Sequence, residues 1–416
     1  MIASVAPNVS CLNDVPLDRR TITQAKLNID AKVRSNLLPW NGQFTPQLVH
    51  ALLEAYATRG ARVLDCFVGS GTVLAEAGGL GLSAIGTEIN PAAFHLAQIY
   101  TYINAQQAER EVVLRELDDQ LHGVFDSSPL FGVCAEDLSD HESVKRSLVA
   151  TWRSEKRSLR RRLLEALIVL ADFYRPGLTT NRIVAIWAKL RALIRELPFS
   201  AQKIEVANCD ARRLPLPEGS IDLVLTSPPY INVFNYHQQY RASVERMGWD
   251  LLRVARSEIG SNRKHRGNRF LTVVQYCLDI ADTLMELRRV CAPSARIVFV
   301  VGRESNVRKT PFYNGDIVTR LGTQCAGLAA EARQERVFRN KFGSMIYEDI
   351  IHFRRFAAPI TTFVPPVDIA AGVLSAAQRV APRESQYDLK AAIDQLPTVR
   401  PSPIYQPCAS AERIIA

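Results

Sequence analysis

The sequence predicts an α/β protein with a mostly parallel sheet, a closing antiparallel strand and a helical insertion. Three observations predict this fold class. Between residues 62 and 79, a short apolar strand, a glycine-rich turn and a helix follow one another, and a second strand and helix follow between 83 and 102. This order is that of a βαβ unit in a parallel sheet. About a hundred residues of helical pattern then interrupt the alternation, which resumes after residue 200.

The individual elements follow from local patterns. A helix is expected from Thr45, which suits the N-cap, and from Pro46, which suits the first helical position. After the insertion we expect strands at 203–207 and 222–225, a helix at about 271–290, a strand at 296–301, a helix at 315–328 and a hairpin of 334–338 with 348–353. The expected regions are an N-terminal extension (1–40), one α/β catalytic domain (41–104 and 201–356), a basic helical insertion (105–200) and an irregular C-terminal tail (357–416).

Composition favours a soluble, cytoplasmic protein with a nucleic-acid partner. The 416 residues contain 51 Lys and Arg against 42 Asp and Glu, for a net charge of +9, and 41 of these cations are Arg. Arg binds phosphate bidentately and stacks on bases, although codon usage rich in Arg is the alternative. We find no apolar run of membrane-spanning length, no CxxC pair and no HExxH motif. We therefore expect no membrane span, no disulfide framework and no metal.

The glycine-rich turn lies in the segment VLDCFVGSGTVLAEA, which starts at Val63. Gly69 and Gly71 permit a tight bend and let a ligand lie against backbone N–H groups at a helix N-terminus. Leu74 stands where a dinucleotide fingerprint needs a third glycine, which disfavours NAD. Glu88 ends the next strand, where an acid accepts hydrogen bonds from ribose hydroxyls. A βα turn without a ligand is the alternative.

A second motif, DLVLTSPPY, runs from Asp222 to Tyr230 at the expected carboxyl edge of the sheet. Two successive prolines stiffen the backbone and remove two N–H donors, so only acceptors remain. The Ser227 hydroxyl and the Pro228 carbonyl can accept hydrogen bonds from an amino group on a planar base, and the Tyr230 ring can stack on that base. A rigid loop that merely ends a strand is the alternative.

Together, VLDCFVGSGT and TSPPY resemble the S-adenosylmethionine-dependent amino-methyltransferases of DNA, which have the Rossmann-like class I methyltransferase sheet. The resemblance covers about residues 40–104 and 201–355, and Cys66 replaces a Pro that is usual in this family. SPPY is commoner in the enzymes that methylate N4 of cytosine, and DPPY in those that methylate N6 of adenine. The resemblance therefore implies methyl transfer from S-adenosylmethionine to N4 of cytosine in double-stranded DNA, with the base flipped out of the duplex.

The resemblance also implies individual roles. The expected cofactor-binding residues are Phe44, Thr45, Pro46, Asp65, Phe67, Gly69, Ser70, Gly71, Thr72, Glu88 and Asp210, the last facing the adenine amino group. The expected catalytic residues are Ser227, Pro228, Pro229 and Tyr230. Such enzymes work in restriction-modification or defence, which suggests a cognate restriction endonuclease as a partner. Three alternatives stay open: adenine-N6 specificity, an RNA amino-methyltransferase, and a non-catalytic DNA-binding subunit with this fold.

Two basic segments are the expected contacts to DNA. Residues 145–162 carry eight cations and one acid, and the expected loop 253–269 carries six cations and one acid, Glu258. The residues predicted to bind phosphate are Arg160, Arg161, Arg162, Arg253, Arg256, Arg263, Lys264, Arg266 and Arg269. Phe234, Tyr236, His237 and Tyr240 are expected either beside a flipped base or against the core. The insertion is a candidate for target recognition, with a lid or a dimer surface as alternatives.

Overall fold

The structure, a computed structural model, describes residues 11–126, 138–175, 178–231, 235–261, 265–340, 343–356 and 363–406. The helices are α1 (Gln24–Asn28), α2 (Pro46–Tyr56), α3 (Thr72–Gly79), α4 (Pro91–Ala97), α5 (Gln107–Asp126), α6 (Leu138–Ser154), α7 (Ser158–Ala171), α8 (Thr180–Glu196), α9 (Arg241–Arg246), α10 (Leu251–Ser257), α11 (Phe270–Val290), α12 (Asn314–Arg320), α13 (Pro366–Gln378) and α14 (Arg383–Asp394). The strands are β1 (Arg62–Asp65), β2 (Ser83–Thr87), β3 (Ile204–Ala207), β4 (Ile221–Thr226), β5 (Cys291–Gly302), β6 (Glu304–Val307), β7 (Thr310–Tyr313), β8 (Ala329–Arg339) and β9 (Met345–Arg354).

Seven of these strands form one sheet in the order β3-β2-β1-β4-β5-β9-β8. The first five strands are parallel, and β9 runs antiparallel to both of its neighbours. Five parallel strands closed by a hairpin whose inner strand alone is reversed form the class I methyltransferase sheet, so the expected fold is confirmed. The short hairpin β6-β7 was not expected from the sequence.

The sheet separates two apolar layers. Neighbouring residues of one strand enter different layers: Val63 of β1 and Val298 of β5 pack in one cluster, and Leu64 and Ile297 in the other. This alternation follows from the strand geometry, which points successive side chains to opposite faces. Helices α2 to α4 and the insertion cover the first face, and α11 to α14 cover the second. Both faces of the parallel strands are therefore buried.

The insertion is helical in its described parts, where α5 to α8 lie. The side chain of Arg110 is fully buried and holds the two ends of the insertion together. Its guanidinium donates to the carbonyls of Ala105, Ile194, Leu197 and Pro198. Because one side chain satisfies carbonyls before α5 and after α8, both ends of the insertion are fixed to the domain near the same point.

Both chain ends are more ordered than the sequence suggested. The C-terminal segment, expected to be irregular, contains α13 and α14, and α13 packs on α11. Its many alanines, read as a weak pattern, are small residues that allow close helix contacts. In the N-terminal extension, Leu27 and Leu38 are buried, and Leu17 bridges to Arg333 of the edge strand β8. In the described parts of the chain, we find no helix that is long and apolar enough to cross a membrane.

Candidate active site

A cleft of about 870 Å³, including its open mouth, lies at the carboxyl ends of β1 to β4. It is lined by residues 40–44, 65–69, 72, 88–90, 209–211, 227, 229, 236 and 257–259. The sheet order sets their sequence along the cleft: 209–211 follow β3, 88–90 follow β2, 65–69 follow β1, and Ser227 follows β4. Open α/β sheets place their ligand sites at this edge.

The glycine turn between β1 and α3 has a backbone that only glycine adopts readily. Gly69 has φ +52° and Gly71 has φ +97°, both in the left-handed region. A Cβ added at Gly71 would lie 2.5 Å from the Tyr100 ring and 3.1 Å from the Cα of Ala97. The turn therefore presses closely on α4 and the segment after it, so the second glycine is required for packing as well as for conformation.

Asp65 is the buried acid at the end of β1, with 2% of its surface exposed. Its Oδ1 accepts hydrogen bonds from the Thr226 hydroxyl (2.6 Å) and the Phe67 N–H (3.1 Å). Burial raises the pKa of the Asp65 carboxyl to about 7, against the opposing effect of these two hydrogen bonds. Both bonds use Oδ1, so Oδ2 is left for a donor in the cleft.

Glu88 ends the next strand and supports the glycine turn. Its Oε2 accepts from the Gly69 N–H (3.1 Å) and its Oε1 from the Asn90 N–H (2.9 Å). Burial raises the pKa of Glu88 to about 7, and the charges of Asp65 and Glu258 add to this rise. Each oxygen keeps a second lone pair, so Glu88 can still accept from ribose hydroxyls as the sequence predicts.

Asp210 lines the cleft, but its carboxylate is fully engaged inside the protein. Its Oδ1 accepts from the backbone N–H and the Nε of Arg212 (3.0 and 2.9 Å). Its Oδ2 accepts from Arg212 Nη2 and the Tyr405 N–H (2.7 and 2.8 Å). These four donors fill the four lone-pair sites of a carboxylate. In this geometry Asp210 holds Arg212 and the C-terminal segment, and no lone pair is left for the adenine amino group that the sequence predicts for it.

The tetrapeptide follows β4 on the other side of β1. Ser227 and Pro229 line the cleft, and Pro228 is buried beside it. The Tyr230 ring lies against Gly302 at the end of β5, where a Cβ would be 3.2 Å from the ring. The Tyr230 hydroxyl interacts with Ser227, and burial raises the pKa of that hydroxyl. Ser227 is thus the tetrapeptide residue that brings a hydroxyl to the lining of the cleft.

The remaining predicted cofactor residues divide into lining and supporting positions. Phe44, Phe67, Gly69 and Thr72 line the cleft. Ser70 donates to Gln43 (2.8 Å), whereas Thr45 precedes α2 and accepts from Arg336 (3.2 Å). Gly71 lies in the turn and Pro46 starts α2, and neither lines the cleft. None of these four residues lines the cleft: they belong to the turn, to the start of α2 or to hydrogen bonds beside the cleft.

Two groups of lining residues were not identified as cofactor-binding from the sequence. Trp40 stacks on Tyr236 with ring centroids 6.2 Å apart, and also packs beside Tyr240. Glu258 lines the cleft, and its Oε2 is 2.8 Å from Nδ1 of the buried His237. The only acid in a strongly basic segment is a signal that would have singled out Glu258. Phe234 lies outside the described residues.

The predicted phosphate-binding residues are in different situations. Arg160 is only 14% exposed, and its guanidinium pairs with Glu155 and Glu116 inside the protein. Arg162 donates to Thr101 (2.8 Å), and Arg161 pairs with Glu165 and stacks on Trp152.

Arg253 and Arg256 are exposed on α10, which is a helix where a loop was expected. Arg266 is exposed, Arg269 is half-buried, and Arg263 and Lys264 lie outside the described residues.

Comparisons with known proteins match part of this chain. Residues 23–99 match the family model described as DNA methylase. Over 98 residues the chain is 31% identical to the Type II methyltransferase M.MjaII of Methanocaldococcus jannaschii, covering 24% of this chain and 18% of that protein. The alignment thus spans less than a fifth of that relative's length.

Solved structures resemble the chain only distantly. A SAM-dependent methyltransferase of Methanosarcina mazei aligns with a TM-score of 0.33 and 13% identity, over 74% of this chain and 98% of that one. An rRNA methyltransferase of Streptomyces viridochromogenes aligns with a TM-score of 0.30 and 15% identity, over 76% and 88%. The fold assignment therefore depends on the strand order. Residues 23–99, which match the DNA methylase model, contain Asp65, the glycine turn and Glu88. The strand order of the sheet is that of S-adenosylmethionine-dependent methyltransferases.

Proposed function

We propose that this chain is an S-adenosylmethionine-dependent methyltransferase that methylates N4 of cytosine in DNA. One observation carries the proposal: Asp65, Glu88 and Ser227, from three different strands, line the same cleft. The first two belong to the segment that matches DNA methylases, and Ser227 belongs to the proline tetrapeptide. A site with cofactor residues at one end and acceptors for an amino group at the other fits transfer between two bound ligands.

The hydrogen-bond acceptors of the cleft fit S-adenosylmethionine. This cofactor carries an ammonium group, a sulfonium centre, two ribose hydroxyls and an adenine ring, and it supplies an activated methyl group when bound. Asp65 offers Oδ2 to a cationic donor, and Glu88 offers its remaining lone pairs to hydroxyls. The bare backbone of the glycine turn lets a ligand approach closely. Trp40 and Tyr236 close the cleft above Gly69 with aromatic surface.

The chain's own contribution to the reaction is alignment and electrostatics. Ser227 accepts a hydrogen bond from the target amino group, which fixes the nitrogen and favours its pyramidal form. Pro228 and Pro229 keep the backbone rigid, so the acceptor does not move as the bond forms. Tyr230, held against Gly302, orients Ser227 through its hydroxyl. The carboxylates of Asp65 and Glu88 stabilise positive charge in a partly desolvated site.

A basic groove beside the cleft supports DNA as the substrate. We define the basic groove by its four cations, Lys156, Arg161, Arg162 and Arg253. Two acids, Glu165 and Asp250, and the rings of Trp152 and Trp249 also line it, and its volume is about 1950 Å³ including open solvent. It lies between the insertion and the loop before α10, so it joins the two basic segments of the sequence. Tyr405 lines the groove and donates to Asp210 at the cleft, so the two sites are adjacent. Cations of this kind neutralise phosphates.

The choice of cytosine N4 depends on the tetrapeptide. A serine at its first position, as in Ser227, is commoner in the cytosine-N4 enzymes that this chain resembles. Adenine N6 is the second candidate, because the matched family model is described only as DNA methylase. A restriction endonuclease or another defence component is the partner we propose.

The test is to incubate the purified chain with labelled S-adenosylmethionine and either DNA or RNA, and to identify the modified nucleoside by mass spectrometry. Label in N4-methylcytosine from DNA is the expected result. Label in N6-methyladenine would correct the target base and keep the reaction. Label in RNA alone, or no label although the cofactor binds, would refute the proposal.

A further inference from the structure

Glu258 is a buried carboxylate at the cleft with one oxygen unused. The residue is 8% exposed and lines the cleft. Its Oε2 lies 2.8 Å from His237 Nδ1, whereas its Oε1 is buried without a hydrogen-bond partner among the described residues. A buried carboxylate oxygen without a donor is costly, and such atoms in native proteins call for an explanation. A ligand that brings an N–H or O–H group would satisfy it.

Among the described residues that line the cleft, the acid that follows β3 is not free to bind a ligand. Along the sheet edge, a cofactor whose ribose lies at Glu88, directly after β2, with its methyl group towards Ser227, directly after β4, extends its base towards β3. The acid that follows β3 is Asp210, and its four acceptor sites are filled by Arg212 and Tyr405. An adenine amino group at this end therefore needs another acceptor.

The segment that contains Glu258 runs from this end of the cleft, at Ser257, to the tetrapeptide, where a Cβ on Gly260 would lie 2.9 Å from the carbonyl oxygen of Tyr230. The carbonyl of Ser257 accepts from Arg212 Nη2 (3.3 Å), the same guanidinium that binds Asp210. Ser257 and Ile259 also line the cleft, next to Glu258 on either side. The charge of Glu258 raises the pKa of Glu88, which places the two carboxylates within electrostatic reach. His237 fixes one oxygen of Glu258, so the other has a set direction.

We infer that Glu258, held by His237, accepts the hydrogen bond of the cofactor's adenine 6-amino group and makes the cleft selective for adenine. This inference rests on the proposed function, because it assigns the base-recognising residue of the same cofactor. Ile259 and Ile89 supply apolar surface for the faces of the ring. A carboxylate accepts a hydrogen bond from an amino group but repels a carbonyl oxygen. A base with a carbonyl at this position should therefore bind more weakly.

The test compares two ligands that differ at this position. S-adenosylhomocysteine carries the amino group, and S-inosylhomocysteine carries a carbonyl in its place. Isothermal titration of the full chain should show at least tenfold tighter binding of the adenosyl ligand. In Glu258→Gln that preference should fall to about threefold or less, because a carboxamide can donate to the carbonyl and no longer repels it. Glu258→Asp, which keeps the charge but withdraws the oxygens, should also lose about tenfold in affinity for the adenosyl ligand.

Glu88→Gln is the matched control, because it removes a carboxylate charge from the same cleft at the ribose. It should weaken both ligands by a similar factor and leave their ratio unchanged. An unchanged ratio in both Glu258 variants, with folding verified by thermal unfolding, would overturn the inference while the proposed function stands. Unchanged cofactor binding with slower methyl transfer would place Glu258 at the target base and also overturn it. Failure of the unmodified chain to bind either ligand would refute the proposed function itself.

Discussion

At the residue scale, the cleft concentrates acids that the protein itself does not neutralise. Asp65 and Glu88 keep lone pairs for a ligand, and burial raises the pKa of each to about 7. Acids with a raised pKa cluster at functional sites. A bound ligand can supply the hydrogen bonds and charge that offset the free energy cost of burying them. Their position at the cleft was predictable from the sequence, since each lies where a strand of one local βαβ unit ends. The true partners of Asp210 were not, because Tyr405 lies 195 positions further along the chain.

Asp65→Asn should stabilise the empty protein and weaken cofactor binding. The amide keeps Oδ1 for Thr226 and Phe67 but removes a buried negative charge. We expect the free energy of unfolding at pH 8 to rise by roughly 1–4 kcal/mol, and the affinity for S-adenosylmethionine to fall at least tenfold. Thermal unfolding and titration calorimetry measure the two effects. Asp119→Asn, at an exposed site on α5, is the control and should change neither; a loss of stability in Asp65→Asn would contradict the account.

Stability of the empty protein should fall as the pH rises. The raised pKa means that folded Asp65 and Glu88 retain protons up to about pH 7, whereas the unfolded chain loses them near their ordinary values of 3.8 and 4.5. The folded state therefore binds more protons between about pH 4 and pH 7, and the stability that these two groups contribute is lost across this window. Wild type should lose more stability from pH 5.5 to pH 8 than an Asp65→Asn, Glu88→Gln double variant. Parallel curves would show that these acids do not titrate as described.

At the element scale, the glycine turn joins β1 to α3 and brings its backbone to the lining of the cleft. The sequence predicted this turn because its conformation depends on two local glycines. It did not predict how tightly the turn packs against Tyr100, since that contact forms only when α4 lies beside it. The bounds of α10 were also missed, because a run of cations hid the apolar spacing of Leu251, Val254 and Ala255.

Gly71→Ala should disrupt both folding and binding, whereas Gly79→Ala should not. At Gly71 the new Cβ meets an aromatic ring at 2.5 Å in a left-handed conformation. We expect a loss of roughly 1–3 kcal/mol in stability and of detectable cofactor binding. Gly79 lies at the exposed end of α3 with nothing within 4 Å of the added Cβ, and alanine there should be neutral or slightly stabilising. Equal effects of the two changes would contradict the role given to the turn.

At the scale of the whole molecule, folding brings cations from distant parts of the sequence onto one surface. The two basic segments are about a hundred positions apart in sequence, yet Lys156 and Arg253 line one groove. The sequence could identify the segments but not which of their cations remain exposed. Arg160 is the clearest case, because its guanidinium is taken by Glu116 and Glu155. A parallel sheet was predictable from the alternation of elements, and its class I methyltransferase form from the family resemblance. The docking of the insertion depends on long-range contacts such as those of Arg110.

Reversing charge in the basic groove should weaken DNA binding in a salt-dependent way. The double variant Lys156→Glu, Arg253→Glu should bind duplex DNA at least tenfold more weakly at low salt, and the slope of log affinity against log salt concentration should decrease. Fluorescence anisotropy across a salt series measures both quantities. Lys189→Glu, at an exposed position of α8 that does not line the groove, is the control. Equal losses of DNA affinity in the control and the double variant would show that DNA responds to the overall charge of the protein and not to the basic groove.

The measurement that tests the central claim most directly is single-turnover methyl transfer by Ser227→Ala, with cofactor affinity measured on the same preparation. In the proposed site, Ser227 lies at the target end of the cleft, beyond Asp65 and Glu88, so the substitution removes an acceptor for the target amino group alone. We predict that transfer to DNA falls at least a hundredfold, while the dissociation constant for S-adenosylmethionine changes less than threefold. Loss of cofactor binding in step with transfer, or transfer at the rate of the unmodified protein, would contradict the account.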